Sequence, residues 1–378
     1  MIALARKTLV HEWRRFVPSI FAVGFSGLLL VVQAALVLGI FGSAAVYVNT
    51  SRADLWVGYP GTQSVSFGRT IGSDLASRLQ MDPAVQAVEP YLWVDADWYS
   101  ADPGTGGVPV YVSGIRTAAD GLMFARLLTP WQREALRAPG AVIVDQADLD
   151  TLGTRAGQVA WINGHRVRVA ATISGLRGLG GVNVLASLET ARDLSDADAT
   201  GGSTYWVAST RAPADAQAAQ ARLSRTEAAF GPYEVWTAQQ FSRRSQLYWI
   251  FDTGAGVAVL FMVVVVCVVG VVVTSQSLLA VVAGSSREYA VLNALGVSHG
   301  ALGRLVVEQA GWIGGLGLLL AALASASLLG VAAAYGVPVA MTPAVALSCA
   351  AMVVLVALLS GIVAMRGVLR ADPSMLLR

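Results

Sequence analysis

The sequence predicts a membrane protein of four transmembrane helices carrying one large α+β extracytoplasmic domain, and three observations predict it. Four apolar runs are each long enough to cross a bilayer, which takes about 20 residues. Of the 378 residues 55% are hydrophobic and 13% charged, where a soluble domain carries about 25% charged residues. The charge is also confined: residues 51–246 hold 17 of the 26 basic and 19 of the 24 acidic side chains. A water-soluble block therefore sits between lipid-like flanks.

The elements follow in order. Residues 1–16 place Ile2, Ala5, Leu9, Trp13 and Phe16 at helical spacing with Arg6, Lys7 and Arg14 between them, a basic amphipathic segment suited to a membrane surface. The first span, 17–48, comes from an apolar run broken only by residues such as Ser26, Gln33 and Ser43. It exceeds the roughly 7–15 apolar residues of a signal peptide, so it is expected to be a retained anchor. Pro18 suits its first turn, where a missing N–H costs little. The α+β domain is expected over 49–247, and further spans over 248–283, 301–335 and 344–366. A loop at 284–300, a short loop at 336–343 and a tail at 367–378 complete the chain. Arg6, Lys7, Arg14, Arg15, Arg287, Arg304, Arg366, Arg370 and Arg378 all flank one side of these spans, and 336–343 carries no basic residue. The positive-inside rule then puts both termini and 284–300 in the cytoplasm and the domain outside, since long domains cross largely regardless of their own charge.

Within the domain, Ala141–Val144 and Tyr205–Ala208 read as strands. Val159–Ile162 and Val167–Ala171 flank Asn163-Gly164, a hairpin signal, with a loop somewhat longer than two residues. Ala214–Phe230, rich in Ala and Gln, reads as helix, and Ser73–Leu79 as a short helix capped by Ser73. Ser174–Gly181 is a glycine-rich loop whose one charge is Arg177.

The chemistry that the sequence excludes is informative. The net charge of +2, with no basic stripe or RNP-like motif, argues against nucleic acid. Lys7 is the one lysine and has no glycine-rich turn near it, so the chain has no P-loop to cradle a nucleotide. Cys267 and Cys349 lie in apolar runs and read as small buried residues. Gly296-Val297-Ser298-His299-Gly300 fits G-x-S-x-G, but a nucleophile elbow needs a preceding strand, and a helix ending at Gly296 is the better account. His11, His165 and His299 are scattered. Asp145, Asp148 and Asp150, or Asp193, Asp196 and Asp198, lack calcium-loop spacing and read as solvated faces. Asn49-Thr50-Ser51 matches a glycosylation sequon. No catalytic, cofactor-binding or metal-binding residue is assigned.

Arg287, Glu288, Leu292 and Leu295 at helical spacing, closed by Gly296, make a short amphipathic helix in the 284–300 loop. Periodicity leaves two uses open, a groove in a partner protein or the lipid headgroups. In the third span Gly311 and Gly315 form a G-x-x-x-G, which permits close helix packing or simply fills space. Asp252 and Glu308 fall at span ends.

From Ser286 to Val297 the sequence resembles the "R-E-x-A-x-L-x-A-L-G" signature of MacB/FtsX-type (type VII) ABC transporter permeases. Glu308 matches a glutamate common in that family, and Arg370-Ala371-Asp372-Pro373 with Leu377-Arg378 resembles its closing "D-P-x-x-x-L-R". Asp82–Ile115 and Ala141–Ile173 are similar to its periplasmic core domain. Leu4–Leu9, His11–Phe16 and Ala53–Gly58 are similar to the DevC-like branch. The resemblance implies a MacB-like permease fold in the bacterial inner membrane and a non-catalytic chain. It implies ATPase coupling through Arg287, Glu288, Tyr289, Val291, Leu292, Leu295 and Gly296. Implied partners are an ABC ATPase subunit that itself binds ATP and Mg, a second permease copy in a homodimer, a HlyD-type membrane fusion protein and a TolC-like outer-membrane protein. The implied work is mechanotransmission driving efflux of a lipid or small molecule. FtsX-like regulation of periplasmic cell-wall hydrolases and lipoprotein release are the alternatives within the family, and a hydrolase using Ser298 is the alternative outside it.

Overall fold

The first described element is α1 (Trp13–Ser43), an apolar helix with Pro18 inside it rather than in its first turn. The computed structural model describes residues 13–101, 106–195, 201–224, 230–284, 299–335 and 337–369. Two units divide the chain: Ile40–Gly256, and Met1–Gly39 together with Val257–Arg378. Beyond α1 the helical path breaks at Ala44 and Ala45 and resumes for one turn as α2 (Val46–Asn49).

Apolar residues at every position of a short strand mark a strand covered on both faces, and β1 (Leu55–Gly58) is buried throughout. Leu55 and Val57 join one apolar cluster and Trp56 another, the period-2 division of a pleated strand. Helix α3 (Asp74–Gln80) follows. Ser73 precedes it in helical backbone conformation and makes no side-chain cap, so the sequence placed this helix correctly but gave Ser73 a bond it does not make. The chain then enters β2 (Val85–Ser100), 16 residues long, which serves two sheets in succession.

The second half of β2 pairs antiparallel with β3 (Val108–Ile115). After α4 (Pro130–Ala135), whose Thr129–Gln132 capping box and N-terminal proline fix its start, come β4 (Ala141–Asp145), the single turn α5 (Leu149–Leu152), β5 (Val159–Ile162) and β6 (His165–Ile173). The β5–β6 turn is two residues long, with Asn163 at φ 48° and Gly164 at φ 81°. This is the positive-φ pair that a tight hairpin demands, and the strand resumes at His165, earlier than expected. The strand β7 (Val182–Ser187) then leads into α6 (Leu188–Leu194), with Ser187 capping by accepting the Thr190 N–H. Strand β3 runs parallel to β7, β4 lies between β7 and β6, and β5 returns to pair with β2. The ring β2–β3–β7–β4–β6–β5 thus closes on itself, which removes the exposed edges of an open sheet. Inside it pack Val110, Val112, Val142, Val144, Ile162, Val169 and Val184. Trp98 joins them and donates its indole N–H to the Leu152 carbonyl at 3.0 Å.

The chain leaves the barrel through β8 (Tyr205–Thr210), α7 (Ala216–Leu223), β9 (Glu234–Thr237) and α8 (Ala238–Leu247). The helix expected over 214–230 is described as a 3-10 turn, Pro213–Asp215, followed by α7, and 225–229 lie outside the described residues. Strand β1 pairs antiparallel with both β8 and β9, and β8 with the first half of β2. The order β2–β8–β1–β9, with α3 and α7 as crossovers, is the β-α-β-β-α-β arrangement of a ferredoxin-like fold, and the barrel is inserted between its second and third strands. Leu75, Leu79, Ala219 and Leu223 cover one face of this sheet, and Phe241 of α8 the other.

The remaining helices are α9 (Gly254–Gly284), α10 (His299–Ala334) and α11 (Pro343–Leu369). Phe16–Ser43, Gly256–Ser277 and Glu308–Ala334 are long and apolar enough to cross a membrane, and α11 adds the shorter apolar stretch Pro343–Leu359. Large apolar side chains stand exposed on α9, Phe261 at 69% among them, as befits a helix solvated by lipid. Small residues carry the packing between helices. A Cβ at Gly24 would meet Leu320, at Gly27 Ala321, at Gly314 Ala357 and at Gly317 Val23. Toward α9 the contact is polar: Ser277 Oγ lies 2.8 Å from Ser19 Oγ, and Ser26 Oγ donates to the Gly270 carbonyl at 3.4 Å.

Candidate functional site

The chain enters the α+β domain along α2 and β1 and leaves it along β9 and α8. These two arms are bound to each other. Leu55 pairs with Thr237 and Gly58 with Glu234, and the Ala238 N–H donates to the Asp54 carbonyl at 2.8 Å. Asp54 Oδ2 accepts from both the N–H and the hydroxyl of Thr210, at 2.8 and 2.9 Å, which ties β8 into the same corner. Ser242 on α8 donates to Asn49 Oδ1 on α2 at 2.9 Å. The asparagine of the sequon is thus a structural acceptor between the arms.

Local sequence explains why α8 starts where it does. Thr237 and Gln240 form a reciprocal capping box, satisfying two N–H groups that a helix start leaves orphaned. One turn in, Phe241 is fully buried and stacks on Trp236 at a centroid distance of 4.8 Å, with Trp56 at 5.4 Å and Tyr205 at 5.7 Å. A π-helical turn, Tyr248–Asp252, separates α8 from α9.

A strap, residues 116–129, crosses the entering arm. Arg126 N–H donates to the Thr50 carbonyl at 3.0 Å and Arg52 N–H to the Leu122 carbonyl at 2.9 Å. Arg52 Nη2 reaches the Asp120 carbonyl at 2.9 Å, and Arg126 Nη1 the Asn49 carbonyl at 3.1 Å. The strap itself is held from inside by Glu89, 1% exposed, which accepts from Leu122 N–H at 2.8 Å and from Arg116 Nη1 at 3.3 Å. Burial pushes the Glu89 carboxyl above its ordinary range, although the Leu122 N–H and the Arg116 and Arg133 charges pull the other way. Arg133, 3% exposed, donates to the carbonyls of Arg116 and Gly121 at 3.1 and 3.2 Å.

On the barrel side the glycine-rich loop 174–181 meets the same arm. Tyr47 donates its hydroxyl to Asn183 Oδ1, and Asn183 Nδ2 donates to the Leu176 carbonyl at 2.8 Å. Burial raises the Tyr47 hydroxyl well above the ordinary phenol range, so it stays a donor. Gly178 lies against Tyr47 Oη and Asn183 Nδ2, leaving no room for a Cβ. Asp145 accepts from Leu176 N–H at 2.7 Å, and Asp148 pairs with Arg177 at 2.8 Å. Asp145 and Asp148 are 2% and 4% exposed, which corrects the expectation of a solvated acidic face: both carboxylates fasten the loop. Among the described residues no group of three or more His, Cys, Asp or Glu could hold a metal ion.

Residues 259–373 match the C-terminal domain of FtsX-like permeases. Over that stretch the chain is FtsX-like. The match covers α9 to α11, under a third of the chain, and leaves the α+β domain outside it. The chain is similar to the extracellular domain of the noncanonic ABC-type transporter YknZ from Gram-positive bacteria, at 12% identity and a TM-score of 0.35, over 49% of this chain and 99% of that one. It is similar also to the periplasmic region of MacB from Actinobacillus actinomycetemcomitans, at 13% identity and a TM-score of 0.35, over 52% and 94%. At these scores the likeness stands as a similarity and no more. Among curated proteins no sequence matches the chain.

The expected coupling residues Arg287, Glu288, Tyr289, Val291, Leu292, Leu295 and Gly296, and also Ser298, lie outside the described residues. Gly311 and Gly315 are described, and a Cβ at either would meet nothing within 4 Å. Within one chain both therefore face open space, and the close approaches fall on Gly24, Gly27, Gly314 and Gly317. Of the residues joining arms, strap and loop, Asn49, Asp145, Asp148 and Arg177 stand out in the sequence, though not for these bonds. Tyr47, Glu89 and Asn183 sit far apart along the chain, and the one local signal was the glycine-rich 174–181 segment.

Proposed function

We propose that this chain, as the permease subunit of an ABC-type transporter, converts movement driven by a separate ATPase into movement of its α+β domain. The observation that supports this best is the joining of the two arms: what displaces one displaces the other, the strap and the barrel loop. The segment Arg287–Gly296 is the contact with the ATPase, which binds ATP and Mg. Four spans set in the inner membrane keep both termini in the cytoplasm and hold the domain in the periplasm. Two copies associate, with Gly311 and Gly315 free on α10 for packing. The domain docks a HlyD-type adaptor leading to a TolC-like duct, and a lipid or small molecule is exported. An ionisable-poor membrane unit fits a path outside the bilayer core.

The test is co-purification with the co-encoded ATPase, comparing the natural chain with the double substitution Glu288→Arg plus Leu292→Asp. Retention by the natural chain and loss by the variant is the expected result. Equal retention places the ATPase contact elsewhere, and no retention by either removes the permease proposal.

A further inference from the structure

We propose that the cleft between the two arms of the α+β domain binds a phosphate-bearing anion through Arg52 and Arg126. The cleft has a volume of about 290 Å³ and is walled by both arms, with Val48, Asn49 and Ser51 to Asp54 from one, Ala238, Gln239 and Ser242 from the other, and Arg126 from the strap. Among the described residues neither Arg52 nor Arg126 forms an ion pair, whereas Arg116, Arg177, Arg222 and Arg244 each have a carboxylate partner. Each unpaired guanidinium is nonetheless held: Arg52 Nη2 by the Asp120 carbonyl and Arg126 Nη1 by the Asn49 carbonyl. Bonds to neutral carbonyls fix position without cancelling charge, and they leave other N–H groups of each fork for an incoming oxyanion. Asp54 also lines the cleft and keeps its charge, with Oδ2 turned to the N–H and hydroxyl of Thr210, so two guanidinium charges stand against one carboxylate there.

The position along the chain suggests the source. The apolar helix Phe16–Ser43 has 28 residues, about 42 Å at the helical rise, which matches a bilayer of roughly 40–45 Å with its headgroups. Along the sequence Val48, the first residue that lines the cleft, comes five residues after Ser43, where that helix ends. A lipid headgroup and a free phosphate share the chemistry that two arginines recognise. Because both arms form walls, occupancy bears on how far the arms can separate. This inference rests on the proposed function only in taking α1 as a membrane span.

The test uses the full chain in maltoside micelles, with dihexanoylphosphatidylglycerol and inorganic phosphate as probes and calorimetric titration as readout. Saturable binding by the natural chain, weakened about tenfold or more in Arg52→Gln plus Arg126→Gln, is expected from the loss of charged hydrogen bonds. The pair Arg52→Lys plus Arg126→Lys loses the same fork geometry but keeps the charge, and should stay within about tenfold of the natural chain. Displacement of the lipid by inorganic phosphate assigns the site to a free anion, and binding of the lipid alone assigns it to a headgroup. Equal binding by the natural and glutamine chains, binding of neither probe, or loss in the lysine pair equal to that in the glutamine pair each overturns the proposal. A chain that retains its ATPase but binds neither probe fails here alone. One that binds the headgroup but never an ATPase overturns the proposed function and leaves the cleft standing.

Discussion

Glu89 is a carboxylate 1% exposed, with its raised pKa caused first by burial. Its ionised form is therefore penalised in the fold relative to the unfolded chain, whose carboxyl titrates near 4.5. The sign follows from linkage. Stability from this group is greatest at low pH, declines as the pH rises through the window between 4.5 and the raised value, and stays reduced above it. Because Glu89 holds Leu122, amide exchange in the strap, corrected for intrinsic chemistry, should report it. Protection in 116–129 is expected to fall as the pH rises, and Glu89→Gln to flatten that dependence. Parallel pH profiles in the two chains would remove Glu89 as the cause. At this scale the sequence was least legible. Asp145 and Asp148 read as surface acids because their partners, Leu176 N–H and Arg177, come from a loop about 30 residues on. Desolvation of a carboxylate is decided by such distant donors and leaves no local pattern.

Among the elements, α8 has a start fixed by its own sequence and a position fixed by remote aromatics. Thr237→Ala removes the cap and should cost about 1 kcal/mol. Phe241→Ala should cost about 3–5 kcal/mol, since the ring touches Trp56, Tyr205 and Trp236. Denaturant unfolding followed by tryptophan fluorescence would order the two, and a larger loss from Thr237→Ala would show that packing does not govern this helix. Elements with strong local signals were legible, including β4, β5, β8 and the Asn163-Gly164 turn. Closure of the barrel was not, because β2 meets β3 and β5 through register alone. The continuous apolar run of β1 accords with burial on both faces, and nothing in its four residues named β8 and β9 as neighbours.

For the whole molecule, composition alone divided the chain into a water-soluble block and apolar flanks, and the compact α+β unit runs from Ile40 to Gly256. Sidedness rests on loop charge and is testable. In a background with Cys267 and Cys349 replaced by Ala, a cysteine at Met81, 80% exposed, should react with an impermeant maleimide in intact spheroplasts. A cysteine at Arg378 should react only after lysis, and the reverse pattern would invert the orientation.

The pairing of β1 with β9 also has a mechanical direction. Both arms attach at the same end of an antiparallel ladder, since Leu55 lies opposite Thr237. If the arms are displaced together, the strands move as one body and no rung is loaded. If they are splayed, the rungs are loaded singly from the Leu55–Thr237 end, as in a zipper rather than a lap joint. The domain is thus built to follow concerted thrust and to yield to separation, and under opposed loads its weakest seam is the one through which the chain enters and leaves.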